Sequence, residues 1–253
     1  MNIKAHEKIL QDTLGNRMSY QALNWIITAN RLCDLHQFTP ERHFDNAPNR
    51  DILCAHWQKG LKTYIDQAID LSAPVHRSRL MLKSRKRALQ AFGAATHALA
   101  DFYAHTNWVE LGVDRGDPGT LAPLLGDVCR ASDFPIGLQS GYFSLRHGFR
   151  GCPESGPPPG YKYCHEQIAK DHPDKGHGAD YISTVGCTYY ELAMLLASRA
   201  TLQLWEALHD RIIVRYNTII DAEAIFLELS WGSFSPQIFS RARSDAVCTA
   251  LLQ

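Results

Sequence analysis

The stretch GAATHALADFYAHTNWVELG, from Gly93 to Gly112, decides the fold. His97, Asp101 and His105 fall at i, i+4 and i+8, which on an α-helix places them within an arc of about 80° over about 12 Å of axis. Three ionisable side chains therefore face one cleft, with Asp101 roughly 6 Å along the axis from each histidine. The remaining positions are rich in Gly93, Ala94, Ala95, Ala98, Ala100 and Ala104, whose small side chains let other backbones come close. For either histidine alone, the ordinary reading is a core residue satisfied by hydrogen bonds. Three in register point instead to a site, in which the two Asp101 oxygens face different metal ions while each imidazole serves one.

Outward from this helix, 3.6-residue periodicity continues, and no run of alternating β-branched residues predicts a sheet. The pattern predicts helices at about 3–14, 17–33, 47–71, 79–108, 179–210 and 212–230, hence an all-α fold. Between Gly112 and Gly160 the pattern fails. Glycines and prolines collect there, ending in ESGPPPGYK, and a long irregular excursion (about 112–160) is expected to shape one side of a pocket. After Trp231 the periodicity weakens, so 1–231 reads as one domain and 232–253 as a docked tail or the start of a further domain. Six basic residues, Arg77, Arg79, Lys83, Arg85, Lys86 and Arg87, read as a solvated helix face.

The chain has 253 residues, 45% of them apolar, enough for a substantial core. Lys plus Arg and Asp plus Glu each total 26, so zero formal charge argues against a duplex nucleic-acid partner held by counterion release. Apolar runs are too short to span a bilayer, and the charged opening MNIKAHEKIL does not fit a secretory signal, so synthesis in the cytoplasm is expected, with export by a signal-independent route left open. Seven cysteines spread along the chain read mostly as buried thiols. Cys152 and Cys164 flank the Pro/Gly-rich loop and pair only if the compartment is oxidising.

Twelve histidines are the compositional anomaly. Beside the central helix, Asp34, His43 and Asp45 lie in one cluster, with His43 and Asp45 alternating as on an extended segment. His165, Glu166 and Asp171 form another, and His6 heads the first helix. His36, His56, His76, His147, His172, His177 and His209 have no comparable partners. Trp108, Phe102 and Tyr103 suit stacking on a base, cation–π contact with a choline, or plain core packing, the last favoured for Phe102. Few thiolates lie near the His/Asp set, which suits a catalytic zinc better than a structural one. Cys164 beside His165 is not read as a nucleophile, because adjacent helical residues diverge.

These segments resemble the bacterial zinc-dependent phospholipase C and Het-C-like family, and more distantly the secreted zinc phospholipases C and fungal zinc-dependent single-strand nucleases. The matching stretches are AHEKI at 5–9, Ala29-Asn30 with Asp34, HFDN at 43–46, HALADFYAHTNWVELG at 97–112, SGYF at 140–143, and Cys164-His165 with Lys170-Asp171. The resemblance implies an all-helical fold around two or three zinc ions and a phospholipase C acting on phosphatidylcholine-like lipids at a micelle or membrane surface. A single-strand nuclease and a non-catalytic Het-C-like interaction module are its alternatives. It implies that His6, His43, His97 and Asp101 hold a close metal pair, with Asp101 bridging and Asp34 as ligand or general base. His105 and His165 hold the remaining ion, and Asp45 is a ligand or orients His43. The last carboxylate is Asp171 or Glu166, and the role of the N-terminal amine is open.

Overall fold

A computed structural model describes residues 1–36, 39–72, 81–124, 134–144, 152–216 and 219–231. The helices are α1 (Ile3–Leu14), α2 (Tyr20–Cys33), α3 (Pro40–His43), α4 (Arg50–His56), α5 (Thr63–Ser72), α6 (Met81–His105), α7 (Trp108–Asp114), α8 (His165–Ile168), α9 (Tyr189–Tyr216) and α10 (Ile219–Trp231). The expected all-α class is what the chain adopts. Helix α6 is the axis, packed by α2 and α5 on its flanks and by α9.

Small residues permit this crowding. A Cβ added at Gly93 would stand 2.4 Å from the Ile26 carbonyl oxygen, so α2 crosses α6 at a distance only glycine tolerates. On the other flank, α4 passes into α5 through a π-helical turn, Trp57–Lys62. There Gly60 lies against the backbone of Glu41, where a Cβ would meet the carbonyl oxygen at 2.1 Å. The predicted single helix over 47–71 thus begins at Arg50, capped by the Asn49 side chain accepting from Ile52 N (3.1 Å), and carries this turn within it.

The structure departs from the sequence expectation most clearly before α9. Tyr181–Ile182 and Cys187–Thr188 form a short antiparallel ladder, β1 and β2, where continuous helix from 179 was expected. The stop signal is in the sequence. Thr188 accepts from Glu191 N (3.2 Å) while the Glu191 carboxylate accepts from Thr188 N (2.8 Å), a capping box in TYYE that fixes the helix start at Tyr189. At the other end α9 runs through the expected break near 211 to Tyr216.

Arg85 also departs from the expected solvated face. Lys83, Lys86 and Arg87 are exposed, but Arg85 is buried, donates to the carbonyls of Leu229 (3.0 Å) and Ser230 (3.4 Å) and covers the Trp25 ring. It joins α6 to the carbonyl end of α10, where a cation is favourable. Arg77, Arg79 and the tail 232–253 lie outside the described residues, as do parts of the irregular region, 125–133 and 145–151. Among the described residues no helix is long and apolar enough to cross a membrane.

Because the α2–α6 crossing leaves no room at Gly93, Gly93→Ala is expected to lower the free energy of unfolding by about 1–3 kcal/mol, as overpacking does. Chemical denaturation checks this, and an unchanged midpoint would show that the crossing yields freely.

Candidate metal centre

Each site residue is delivered by a local reason. On α1, Ala5, His6, Ile9, Leu10 and Leu14 form the buried stripe, so His6 enters the interior with its apolar neighbours. Asn2 caps this helix by accepting from Ala5 N (3.0 Å), and its amide donates to the Asp171 carbonyl. On α6, His97, Asp101 and His105 share a face and are all nearly inaccessible. His43 and Asp45 do not alternate along an extended segment as expected. His43 ends α3, and the chain then takes left-handed conformations at Phe44 (φ 53°) and Asn46 (φ 58°). For Phe44 that conformation is costly, and packing against Trp57 and Phe102 holds it there. Asn46 is pinned by two bonds to the Phe143 backbone (2.7 and 2.8 Å), so Asp45 between them is aimed inward.

Asp101 is the centre. Its Oδ2 lies 3.0 Å from His43 Nδ1 and 3.1 Å from His97 Nε2. Its Oδ1 lies 3.0 Å from His6 Nε2, 2.6 Å from the Met1 amine and 4.0 Å from His105 Nε2. The two oxygens therefore face different groups of donors. Asp34 stands 3.9 Å from His97, on the His43 side. On the other side, His105 Nε2 lies 3.0 Å from Asp171, and His165 lies 2.8 Å from Asp45 and 3.5 Å from Asp171. His105 Nδ1 donates to the His43 carbonyl (2.8 Å), leaving Nε2 as the atom that faces the centre.

All nine predicted residues, His6, Asp34, His43, Asp45, His97, Asp101, His105, His165 and Asp171, are thus brought together. Glu166 points elsewhere and is exposed, so Asp171 is the carboxylate at this position. The Met1 amine, whose role the sequence left open, bonds Asp101, Asp171 (2.8 Å) and His105 (2.9 Å). Phe143 completes the wall, so the irregular region does shape the pocket. Phe102 and Tyr103 are fully buried and Trp108 almost so. They are core residues, Trp108 donating to the Thr120 carbonyl and Tyr103 accepting from Ala122 N, and serve neither base nor choline.

His177, expected to lack partners, bonds Glu110 (2.8 Å) and Asp180 (2.9 Å). His56 and His209 pack on Phe44 and Phe226, while His76 and His147 and the side chain of His36 lie outside the described residues. Two disulfide findings revise the cysteine expectation: Cys152 and Cys164 are bonded, with Cα atoms 5.7 Å apart, and Cys54 is in a disulfide too. Cys33 and Cys187 are buried thiols.

Burial and mutual pairing set the electrostatics of the cluster. Burial pushes the Asp101 pKa upward, yet the Met1 amine and then His97, His105 and His6 outweigh it and hold the carboxyl well below its usual range. Asp171 is held down in the same way, against burial, by the Met1 amine and His105. Burial drives His97 down to about 4 and lowers His6, keeping both imidazoles neutral at pH 7. Burial raises Asp34. His165 moves the other way, to about 10, because Asp45 and Asp171 overcome its desolvation.

The donor set passes a test of fit to metal ions. Nε2 of His6, which approaches Asp101 without hydrogen-bond alignment, and Oδ2 of Asp34 are buried without a hydrogen bond, as are Nδ1 of His6, Nε2 of His43 and Nδ1 of His97 on the ring edges away from Asp101. Such groups cost stability unless something satisfies them. Neutral imidazole and carboxylate suit zinc and similar divalent ions. The pocket, about 130 Å³, has room for ions and a few waters at about 30 Å³ each, well short of the roughly 300 Å³ of an organic-ligand site.

Comparison with known proteins corrects the family expectation. Residues 6–124, a little under half of the chain, match the family described as the VWA7 N-terminal domain. The von Willebrand factor A domain-containing protein 7 of Homo sapiens and that of Mus musculus are each 58% identical to the chain over 36 residues. That segment is 14% of this chain and 4% of each relative. No solved structure gives a significant match. These matches point to VWA7-like proteins and overturn the reading as a Het-C-like phospholipase C. With it fall the zinc phospholipase C and phosphodiesterase activity, the nuclease alternative and the Het-C-like module. The physical reason is that HALADFYAHTNWVELG encodes a helix face able to hold ligands, and a ligand-bearing face does not specify a reaction. The phospholipid partner loses the resemblance that carried it.

In metal-free protein, His165 has a folded pKa above its ordinary 6.5, so its contribution to stability is full below pH 6.5 and is lost as pH rises through about 10. In chelator, the stability difference between wild type and His165→Asn is therefore expected to shrink from pH 6.5 to 10. Urea titrations across that range check it; a constant difference would show that His165 carries no proton between the two aspartates.

Proposed function

We propose that this chain is a divalent-metal-binding helical module, with zinc as the resident ion and two or three ions held around Asp101. The single observation that carries the reading is a buried carboxylate whose two oxygens face different imidazoles, Oδ2 those of His43 and His97 and Oδ1 that of His6, whose Nε2 is buried there without a hydrogen bond. His43, His97 and Asp34 would hold one ion on the Oδ2 side of Asp101. Asp45, His105, His165 and Asp171 would hold another, and His6 adds a donor on the Oδ1 side. When bound, the ions supply the positive charge that four clustered aspartates require and draw α1, the α3 loop and α8 onto α6.

The similarity to von Willebrand factor A domain-containing protein 7 supports placing this module in a larger protein that carries such a domain. The Cys152–Cys164 disulfide supports an oxidising compartment as its place of work. The ions, on this reading, order the module rather than turn over a substrate, and residues 1–231 act as the unit they order.

Elemental analysis of purified chain is expected to show zinc in stoichiometric amount. Chelation should lower the melting temperature by on the order of 10 °C, since a ligand at a thousand times its Kd contributes about 4 kcal/mol. Asp101→Asn should lose at least one ion per chain while circular dichroism stays helical, because the surrounding face is alanine. Wild-type protein that takes up no zinc, or gains no stability from it, would contradict the proposal.

A further inference from the structure

Lys170 is fully buried, and it touches none of the carboxylates of the centre directly among its hydrogen-bond partners. All three protons of its ammonium are used. It donates to the Thr106 carbonyl (3.0 Å), the Ile168 carbonyl (2.9 Å) and Glu110 Oε1 (2.8 Å), while its backbone N donates to the Ala104 carbonyl (3.0 Å). These acceptors are not scattered. Thr106 follows His105 at the end of α6, Ile168 ends the helix that begins with His165, and Lys170 itself precedes Asp171.

One buried cation therefore ties together the three segments that deliver His105, His165 and Asp171. Glu110 on α7 balances its charge and accepts a second bond from His177 Nε2 (2.8 Å), whose Nδ1 meets Asp180 (2.9 Å). The turn at 177–179 closes over this pair. A Cβ at Gly178 would stand 2.5 Å from the His172 carbonyl oxygen and 3.2 Å from Lys170 Cα, so the turn lies directly on the segment that holds the lysine. Among the described residues, Lys170, Glu110, His177 and Asp180 make no hydrogen bond to Asp34, His43 or His97 on the opposite side of Asp101.

We propose that Lys170, paired with Glu110, is a positioning residue for one ion position of the centre, that of Asp45, His105, His165 and Asp171, and not for the other. The inference rests on the metal-binding reading above. A planar carboxylate and two imidazoles must point at one spot within a few tenths of an ångström, and among the described residues the backbone joins the ends that carry His105 and His165 by isolated bridges, Thr106 to Ser140 and Tyr142 to Cys164, neither of which includes Asp171. The saturated ammonium supplies that spacing, as partners just outside metal ligands do elsewhere, where their loss weakens metal affinity about 10–100-fold.

The test uses full-length protein titrated with zinc, and with cobalt(II) as a spectroscopic probe. Asp171→Asn and Asp34→Asn first assign which visible absorption component belongs to which ion position. Lys170→Met is then expected to weaken, by about tenfold or more, the component that Asp171→Asn removes, leaving the one that Asp34→Asn removes at wild-type affinity. The paired variant Lys170→Met/Glu110→Gln leaves no unpaired buried charge and decides by the same criterion if the single variant fails to fold. Unchanged affinities at both positions, or an equal fall at both, would overturn the positioning role while leaving the metal reading intact. Wild-type protein that binds neither ion would overturn both.

Discussion

A carboxylate with 1% exposure sits at the middle of this protein, and its need for positive charge organises what surrounds it. An ionised aspartate in an apolar interior costs several kcal/mol unless cations and donors reach it. On α6 itself Asp101 has His97 and His105 beside it, among alanines that offer neither. Further compensation comes from outside α6: His6 from α1, His43 from the end of α3, and the Met1 amine across Oδ1. Small residues set the approach of the neighbouring helices, Gly60 that of α3, which carries Glu41 and His43, and Gly93 that of α2. Packing and electrostatics are therefore one problem here: a larger side chain on α6 would open the helices and leave the charge bare.

The irregular segments meet the same demand by a different route. They have almost no ladder among the described residues, so side chains fix them. Asn46 brackets the Phe143 backbone, Asn107 accepts from Gln139 N (2.8 Å), and Ser140 accepts from Ala47 N (2.8 Å). The disulfide between Cys152 and Cys164 anchors the residue just before His165. Gly141 allows the loop to lie against that histidine, where a Cβ would meet His165 Cα at 2.6 Å. Strain at Phe44 is tolerated because the core holds its ring from several sides, and what the strain achieves is the direction of Asp45.

Much of this was legible in the sequence because helical spacing is a local code. His97, Asp101 and His105 declare a common face without any knowledge of their surroundings, and the apolar stripe of α1 carries His6 inward with it. The capping box at Thr188 and Glu191 was equally local and would have marked the start of α9. Other features are not local. Whether Asp171 or Glu166 faces the centre depends on the turn after α8, and the convergence of Lys170 on Thr106, Ile168 and Glu110 depends on segments 60 residues apart. The left-handed backbone at Phe44 has no sequence signature, since its cause is the pocket formed by Trp57 and Phe102. The reaction class was not legible at all, because a ligand-bearing helix face does not by itself specify a reaction, and the relatives matched are VWA7-like.

On the proposed metal reading, bound ions would neutralise the cluster of four aspartates and five imidazoles; without them, a proton takes part of that role at His165 between Asp45 and Asp171. The claim that metal ions are the intended occupants is tested most directly by diffraction from crystals of zinc-loaded protein at energies on either side of the zinc absorption edge. The account predicts anomalous peaks flanking the Asp101 carboxylate, one beside His43 and His97 and another beside His105, His165 and Asp171. Well-ordered side chains at both places with no anomalous density would contradict it.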